Sequence, residues 1–396
     1  MDTERLDRAR AHMEKAGIDA LVCRLGENVL YLTGYWPVVN ASVAVFTRNG
    51  ETALLMQEEE VDYAGAGWVG DIRTYRFGDL TRTLNLNDKI APLLKEYCAE
   101  KGLNRATIGY EGSFETIACM NTTITTRIVS EGFFGMLRAA LPGARFVDAT
   151  PAIMGARRRK SKLEVEKHRI AQEVACLGYE AAKEAIRPGA TEAEVAAAVE
   201  YRIHAAGVGY KGTVERARGF AFVMSGANSW ASKRPFCFST PKRIEAGETV
   251  LVELDTYVDG YQNDLTRTYF VGEPTRKARD IEKAVMAALK AVEARLQPGV
   301  PCKELWTLQN RMIEEMGWPK DPYMHPLGHG IGYQFNEPPH FHPYVEDVLA
   351  EGDVFALEPA IYIPGWGGIR EEDNYLCTAE GGELLTPYPQ GLILAG

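Results

Sequence analysis

The chain of 396 residues has little that would tie it to a membrane, a secretory route or a nucleic acid. No apolar run approaches the roughly 20 residues needed to cross a bilayer. The start, Met1-Asp2-Thr3-Glu4-Arg5-Leu6, is charged and helix-patterned, without the apolar stretch behind a basic beginning that marks a secretory signal. Its seven cysteines (Cys23, Cys98, Cys119, Cys176, Cys237, Cys302 and Cys377) are scattered, odd in number and never in a Cys-x-x-Cys pair. That pattern excludes a disulfide framework and implies reduced thiols in a cytoplasmic protein. Basic charge is short as well. Against 44 Lys and Arg stand 54 Asp and Glu, a formal net charge of −10, which argues against a nucleic-acid groove or an anionic membrane surface as partner. What remains is ordinary globular composition, 46% apolar and 25% charged, in a chain too long for one core and sufficient for two domains.

Helical periodicity runs from Leu6 to Ala16. Strand-like runs follow from Ala20 to Cys23 and from Val29 to Tyr35. Two more, Val43 to Phe46 and Ala53 to Met56, are joined by the turn at Arg48-Asn49-Gly50. Asp88 to Lys101 is a predicted helix closed by Gly102, with Pro92 near its first turn, and Thr107 to Tyr110 and Arg145 to Asp148 are further strands. This alternation predicts an α/β N-terminal domain. The basic run Ala156-Arg157-Arg158-Arg159-Lys160-Ser161-Lys162 reads as a solvated linker or helix start, with a binding role as the other option. It leads into a long helix from Leu163 to Ile186, then a second from Thr191 to Ala206 that opens on a Thr-Glu-Ala-Glu capping box. Strands from Phe222, helices from Lys277 to Leu296 and Lys303 to Met316, and strands to the end form the rest. We place the boundary near residues 151–160, giving domains 1–155 and 156–396.

Chemistry concentrates in four segments. In the first, two strand patterns flank Asp259-Gly260, a strong hairpin signal. If those two residues make the turn, Asp255 lies opposite Asp264 with Glu253 diagonal on the same face. Three carboxylates on one buried face repel one another and resist desolvation, so a cation belongs between them. A metal ion, a salt bridge to Arg267 and a solvated hairpin edge all satisfy that demand. The second segment, His325-Pro326-Leu327-Gly328-His329-Gly330, sets a histidine between glycines, which suits a ligand entering a site through close backbone approach or a hydrogen-bonded structural histidine. His340 and His342, among prolines and aromatics, line a pocket or pack a loop. In the third, Glu358-Pro359 puts an acid at the end of an apolar strand, where it needs a partner. The fourth, Arg370-Glu371-Glu372-Asp373, places more carboxylates at a strand entry.

In this order the four segments resemble the pita-bread metallohydrolases, the superfamily of methionine aminopeptidase, aminopeptidase P, prolidase and creatinase. Asn263-Asp264-Leu265-Thr266-Arg267-Thr268, Gly328-His329-Gly330-Ile331-Gly332, Glu358-Pro359 and Arg370-Glu371-Glu372 match that family's motifs. The stretch Arg159 to Glu166 is similar to the helix that opens the family's catalytic domain. Gly17-Ile18-Asp19-Ala20-Leu21 and Asn28-Val29-Leu30-Tyr31-Leu32-Thr33-Gly34-Tyr35 look like the two-domain creatinase/prolidase type. The resemblance implies an α/β creatinase-like N-terminal domain followed by an α+β pita-bread catalytic domain.

It also implies a ligand set: Glu253 or Asp255, then Asp264, His329, Glu358 and Glu372, around two divalent metal ions. Oxygen-rich donors favour Mn²⁺, Fe²⁺ or Co²⁺, with Zn²⁺ also able to bind. Asp264 and Glu372 would bridge ions about 3.5 Å apart, and a water activated there would attack a carbonyl carbon. Glu358 is expected to shuttle the proton and His325 to steady the oxyanion. Three positions depart from the family: Glu253 stands for the usual Asp, and Asn336 and Lys233 stand where two substrate-holding histidines are expected. The leading expectation is hydrolysis of a C–N bond in a short peptide, as in an Xaa-Pro dipeptidase or aminopeptidase P, by a homodimer. One alternative is a non-peptidase acting on a small polar metabolite, like creatinase, ectoine hydrolase or the dimethylsulfoniopropionate lyase branch, which Glu253-x-Asp255 resembles. There Lys233 would bind an anionic substrate group. The other is an inactive binding scaffold.

Overall fold

In the computed structural model, which describes residues 1–39, 41–65, 67–78, 85–113, 130–233, 237–318, 325–334 and 336–396, the chain divides into two units, Met1–Arg157 and Arg158–Gly396. The first runs α1 (Thr3–Ala16), β1 (Ala20–Cys23), α2 (Gly26–Thr33), β2 (Val43–Thr47), β3 (Thr52–Gln57), α3 (Val61–Ala64), β4 (Asp71–Tyr75), α4 (Leu86–Glu100), β5 (Thr107–Tyr110), α5 (Glu131–Ala140) and β6 (Arg145–Asp148). α6 (Thr150–Arg158) ends at the boundary. The six strands form one mixed sheet in the order β4-β3-β2-β1-β5-β6. Val22, Val45 and Leu55 on its face pack under Ile90 and Leu94 of α4 and Phe133 and Leu137 of α5.

The run from Val29 to Tyr35, expected as a strand, is instead α2. Every residue of α2 is buried, so it has no solvent-exposed face to betray a helical period. A short apolar run of this kind cannot be assigned by periodicity. Its ends decide. The Glu111 carboxylate accepts from Arg24 N (2.8 Å) and Leu25 N (3.1 Å) at the helix start, and Gly34 closes the end at φ 72°. The basic run is no solvated linker either. Arg157 is buried against Asn28, Lys160 is buried too, and Ser161 makes a capping box with Glu164.

The second unit opens with α7 (Lys162–Ala185) and α8 (Glu192–Gly207), capped by the expected Thr191–Glu194 box. Strands β7 (Ala217–Ser225), β8 (Thr249–Val258) and β9 (Tyr261–Val271) follow, then helices α9 (Arg276–Glu293) and α10 (Cys302–Glu315). The remainder is β10 (Gly328–Gly330), β11 (Glu337–Phe341), β12 (Val354–Leu357), β13 (Ala360–Ile363), β14 (Gly367–Arg370), β15 (Asp373–Thr378), β16 (Gly381–Leu384) and β17 (Ile393–Ala395). One sheet has the order β17-β9-β8-β7, a second β11-β10-β12-β15-β16, and β13 pairs with β14. Val252, Leu254 and Leu265 face α7 and α8, whereas Phe341, Phe355 and Tyr375 pack with Leu289 of α9 and Leu305 of α10. Because strand side chains alternate, Glu253, Asp255, Asp264 and Thr266 turn away from the helices. No helix among the described residues is long and apolar enough to cross a membrane. The six described cysteines form no disulfide with one another.

Candidate functional site

The hairpin β8–β9 closes through Asp259-Gly260, both at positive φ (49° and 87°), and pairs Asp255 with Asp264 and Glu253 with Thr266. That is the register the turn signal predicts. Both strands are buried along their whole length. Strand β10 then slides between β11 and β12. A Cβ on Gly328 would lie 2.0 Å from the Ala356 carbonyl oxygen, and one on Gly330 2.3 Å from that of Pro338. The slot requires glycine on both sides of residue 329, and it delivers His329 opposite Ala356. Glu358 leaves the end of β12, its N–H on the Leu327 carbonyl (2.8 Å). Glu372 forms an isolated bridge to Thr266, between β14 and β15.

These strands bring three of the expected residues to one point. Asp264, His329 and Glu372, all buried, each offer one donor atom within 4.8 Å of the others. His329 Nε2 stands 3.4 Å from Asp264 Oδ2. Arg370 pairs with Glu372 and with two further acids. Its guanidinium lies 2.8 Å from Glu253, 3.6 Å from Glu358 and 3.7 Å from Glu372. Thr266 Oγ1 accepts from Arg370 Nε (2.8 Å) and donates to Glu372 Oε2 (2.7 Å). Asp255 is left with both oxygens buried and without a hydrogen-bond partner among the described residues, as are Asp264 Oδ1 and Glu372 Oε1.

The electrostatics follow from this crowding. Burial and the neighbouring acids push Glu372 up to about 8 and Asp255 and Glu358 well above the usual carboxylate range. Burial lifts Glu253 to about 7, with Arg370 opposing and Asp264 adding to the rise. Burial also acts against the charged form of His329, but the hydrogen bond and charge of Asp264 hold it above its ordinary value. A single guanidinium does not balance this many buried acids. The orphaned oxygens and one imidazole form the hard donor set of a divalent cation, and they fit one.

His325 is nearby. Its Nδ1 faces the Pro326 carbonyl (2.8 Å) and Glu358 (3.4 Å), and its Nε2 meets the Tyr362 hydroxyl (2.9 Å). Burial first, then Arg370, pushes it down to about 4, so it is neutral at physiological pH. Asn336 is engaged elsewhere. Its Oδ1 lies 3.1 Å from His340 Nε2, and His340 Nδ1 lies 3.3 Å from Asp347. His342 accepts from the Tyr344 backbone, a loop contact. The Lys233 side chain and Phe335 lie outside the described residues. Arg370, Tyr362 and Thr266 are the functional side chains that pattern reading left unassigned. Arg370 and Thr266 stood within the quoted motifs, but nothing in their spacing said that one would bridge three acids.

Known proteins resemble the chain over nearly its whole length. The family model described as metallopeptidase family M24 matches residues 166–379, and that of the creatinase/prolidase N-terminal domain matches 5–158. An Xaa-Pro dipeptidase of Pyrococcus furiosus is 31% identical over 390 residues, 98% of this chain and 99% of the relative. The solved structure of an Xaa-Pro dipeptidase from Bacillus anthracis superposes with a TM-score of 0.80 at 26% identity, covering 100% of both chains. A prolidase from Pyrococcus horikoshii OT3 gives 0.75 at 29% identity, over 98% of this chain and 99% of that one.

Proposed function

The chain belongs to metallopeptidase family M24 and is a metal-dependent peptidase, and from that premise we propose that it hydrolyses Xaa-Pro dipeptides, cutting the C–N bond before the imino acid. The convergence of Asp264, His329 and Glu372 on one point carries the reading. Support for the substrate comes from the full-length likeness to an Xaa-Pro dipeptidase. Glu253, Asp255, Asp264, His329, Glu358 and Glu372 would hold two divalent ions. Mn²⁺, Fe²⁺ or Co²⁺ suits their oxygen-rich set best, with Zn²⁺ also accommodated. A homodimer in the cytoplasm belongs to the same proposal, supported by the family resemblance and the scattered thiols.

Bound ions supply carbonyl polarisation and a water acidified to near neutrality. The side chains do the rest. Glu358, at the end of β12 with its carboxylate 3.4 Å from His325, is placed to shuttle a proton toward the leaving nitrogen. The oxyanion role expected of His325 needs a free N–H. His325 spends Nδ1–H on Pro326 and turns Nε2 to Tyr362, so donors run from Arg370 through Tyr362 (3.4 Å) and His325 to the Pro326 carbonyl. The proposal therefore makes His325 the end of a chain that orients Arg370, and Arg370 the cation facing developing negative charge. Asn336 and Lys233 remain candidate substrate contacts, Asn336 through its amide and Lys233 as a cation for an anionic group.

A second reading rests on Asp255, whose buried, unpartnered carboxylate opposite Asp264 adds acid to the cluster. It has the chain act on a small polar metabolite. A panel of Xaa-Pro dipeptides, longer Xaa-Pro peptides, creatine, ectoine and dimethylsulfoniopropionate, each with Mn²⁺-loaded protein, separates the two. Release of proline from the dipeptides alone is expected; turnover of a metabolite and none of the peptides would replace the first reading with the second. If Lys233 holds an anionic group, Lys233→Ala raises KM about tenfold, the loss of roughly one charge-assisted hydrogen bond. An unchanged KM removes that role.

A further inference from the structure

Glu192 lies at the first turn of α8 and is fully buried, yet it ligates nothing in the carboxylate cluster. Its two oxygens collect the ends of one segment. Oε1 accepts from Ser225 N (2.7 Å), Ser225 Oγ (2.9 Å) and Asn228 Nδ2 (3.0 Å). Oε2 accepts from Thr240 N (3.0 Å), Thr240 Oγ1 (2.5 Å) and again Asn228 Nδ2 (3.2 Å). The backbone repeats the attachment, with Glu192 N on the Lys242 carbonyl (3.1 Å) and Ala193 N on that of Thr240 (3.2 Å). Ser225 and Thr240 bracket the helical turns Gly226–Lys233 and the chain that leads back to β8. One carboxylate therefore gathers donors from both Ser225 and Thr240, and Val223 N on Ser239 Oγ (2.8 Å) and Lys242 Nζ on Ser225 Oγ (3.0 Å) add to the same attachment.

The helical turns border the site. Ser229 Oγ accepts from Gly368 N (2.8 Å) and donates to the Gly226 carbonyl (2.7 Å), which presses the turns onto β14, the strand that ends at Arg370. The approach is close enough that a Cβ on Gly367 would meet Ser229 Oγ at 2.7 Å and one on Gly368 the Ser229 carbonyl at 2.9 Å. The turns thus lie against the strand whose guanidinium pairs Glu253, Glu358 and Glu372.

We infer that Glu192 is a positioning residue: by tying Ser225 and Asn228 to Thr240 it fixes the helical turns from Gly226 to Ser232 as a wall of the substrate site beside Arg370. The donor set of the ions sits on other strands and does not depend on it. This rests on the peptidase reading above for its kinetic consequence, though the clamp itself does not.

The test is Glu192→Gln, which keeps volume but turns an NH₂ group toward backbone N–H donors that have no way to accept. With Mn²⁺-loaded full-length protein and an Xaa-Pro dipeptide, KM rises about tenfold, the worth of one or two hydrogen bonds to a charged acceptor, while kcat changes less than about threefold. Hydrogen exchange speeds up in amides 226–233 and is unchanged in β8 and β9. A merely structural Glu192 would lower the melting temperature and leave KM where it was. Thr240→Val, which removes the hydroxyl but leaves the Thr240 backbone donor on Glu192, gives a smaller rise in KM and keeps the question open to refutation if Glu192→Gln fails to fold. KM within about twofold of wild type in whichever variant folds overturns the inference. Should wild type cleave no Xaa-Pro dipeptide, the substrate reading fails by itself. The exchange measurement then decides the clamp: faster exchange at 226–233 supports it, and no change overturns it.

Discussion

Arg370 holds the acids of the site at their closest: it is the only guanidinium found within 4 Å of Glu253, Glu358 and Glu372 among the described residues. Replacing it with Met keeps the stem and removes the charge. We expect kcat/KM to fall about 100-fold or more, as when a donor aimed at developing negative charge is lost, and Arg370→Lys to recover part of it. Steady-state kinetics on Xaa-Pro dipeptides decides; a fall below threefold would mean that the guanidinium only balances charge. In the N-terminal unit, burial lifts Glu111 from 4.5 to about 7 despite the backbone donors of Arg24 and Leu25. The folded state therefore holds a proton that the unfolded chain releases between those values. Stability is greatest below the lower value and declines as pH rises through the window, by about 3 kcal/mol in all. Urea unfolding at pH 5 and pH 8, compared with Glu111→Gln, checks the sign: the variant loses this part of the pH dependence, and equal slopes in both proteins would contradict it.

At the scale of elements, the β10 slot is the feature with least tolerance. Gly328→Ala drives a Cβ into the Ala356 carbonyl, a backbone atom unable to rotate aside, so β10 must shift and carry His329 with it. A loss of about 3 kcal/mol and a weaker Mn²⁺-induced rise in melting temperature are expected, read by thermal unfolding with and without the ion. A full metal response in Gly328→Ala would show that the slot does not set the histidine. This element was readable beforehand because Gly-His-Gly is a statement about backbone approach. The β8–β9 hairpin was readable for a similar reason, since Asp259-Gly260 fixes a register that places Asp255 against Asp264. Helix α2 was not: all of it is buried, its polar Glu27 and Asn28 included, and the Glu111 carboxylate that anchors its start comes from some eighty residues away. Arg370 escaped for the same kind of reason. Its three acidic partners come from β8, the end of β12 and the bridge beside Thr266, and only the folded sheet brings them to one guanidinium.

On the scale of the whole molecule, each unit has its own apolar core, one under α4 and α5, the others under α7 and α8 and under α9 and α10. The acids gather entirely in the second. Metal binding should therefore slow hydrogen exchange in β8, β9, β10 and β15 and leave the six-stranded sheet of the first unit as it was. The central claim is that buried Asp264, His329 and Glu372 work as the metal-binding heart of an Xaa-Pro dipeptidase. Its most direct test is proline release from an Xaa-Pro dipeptide by protein stripped with a chelator, then reloaded with Mn²⁺. Release should vanish on stripping and return on reloading. Release that survives complete removal of the metal, or that never occurs with any divalent ion bound, contradicts the account.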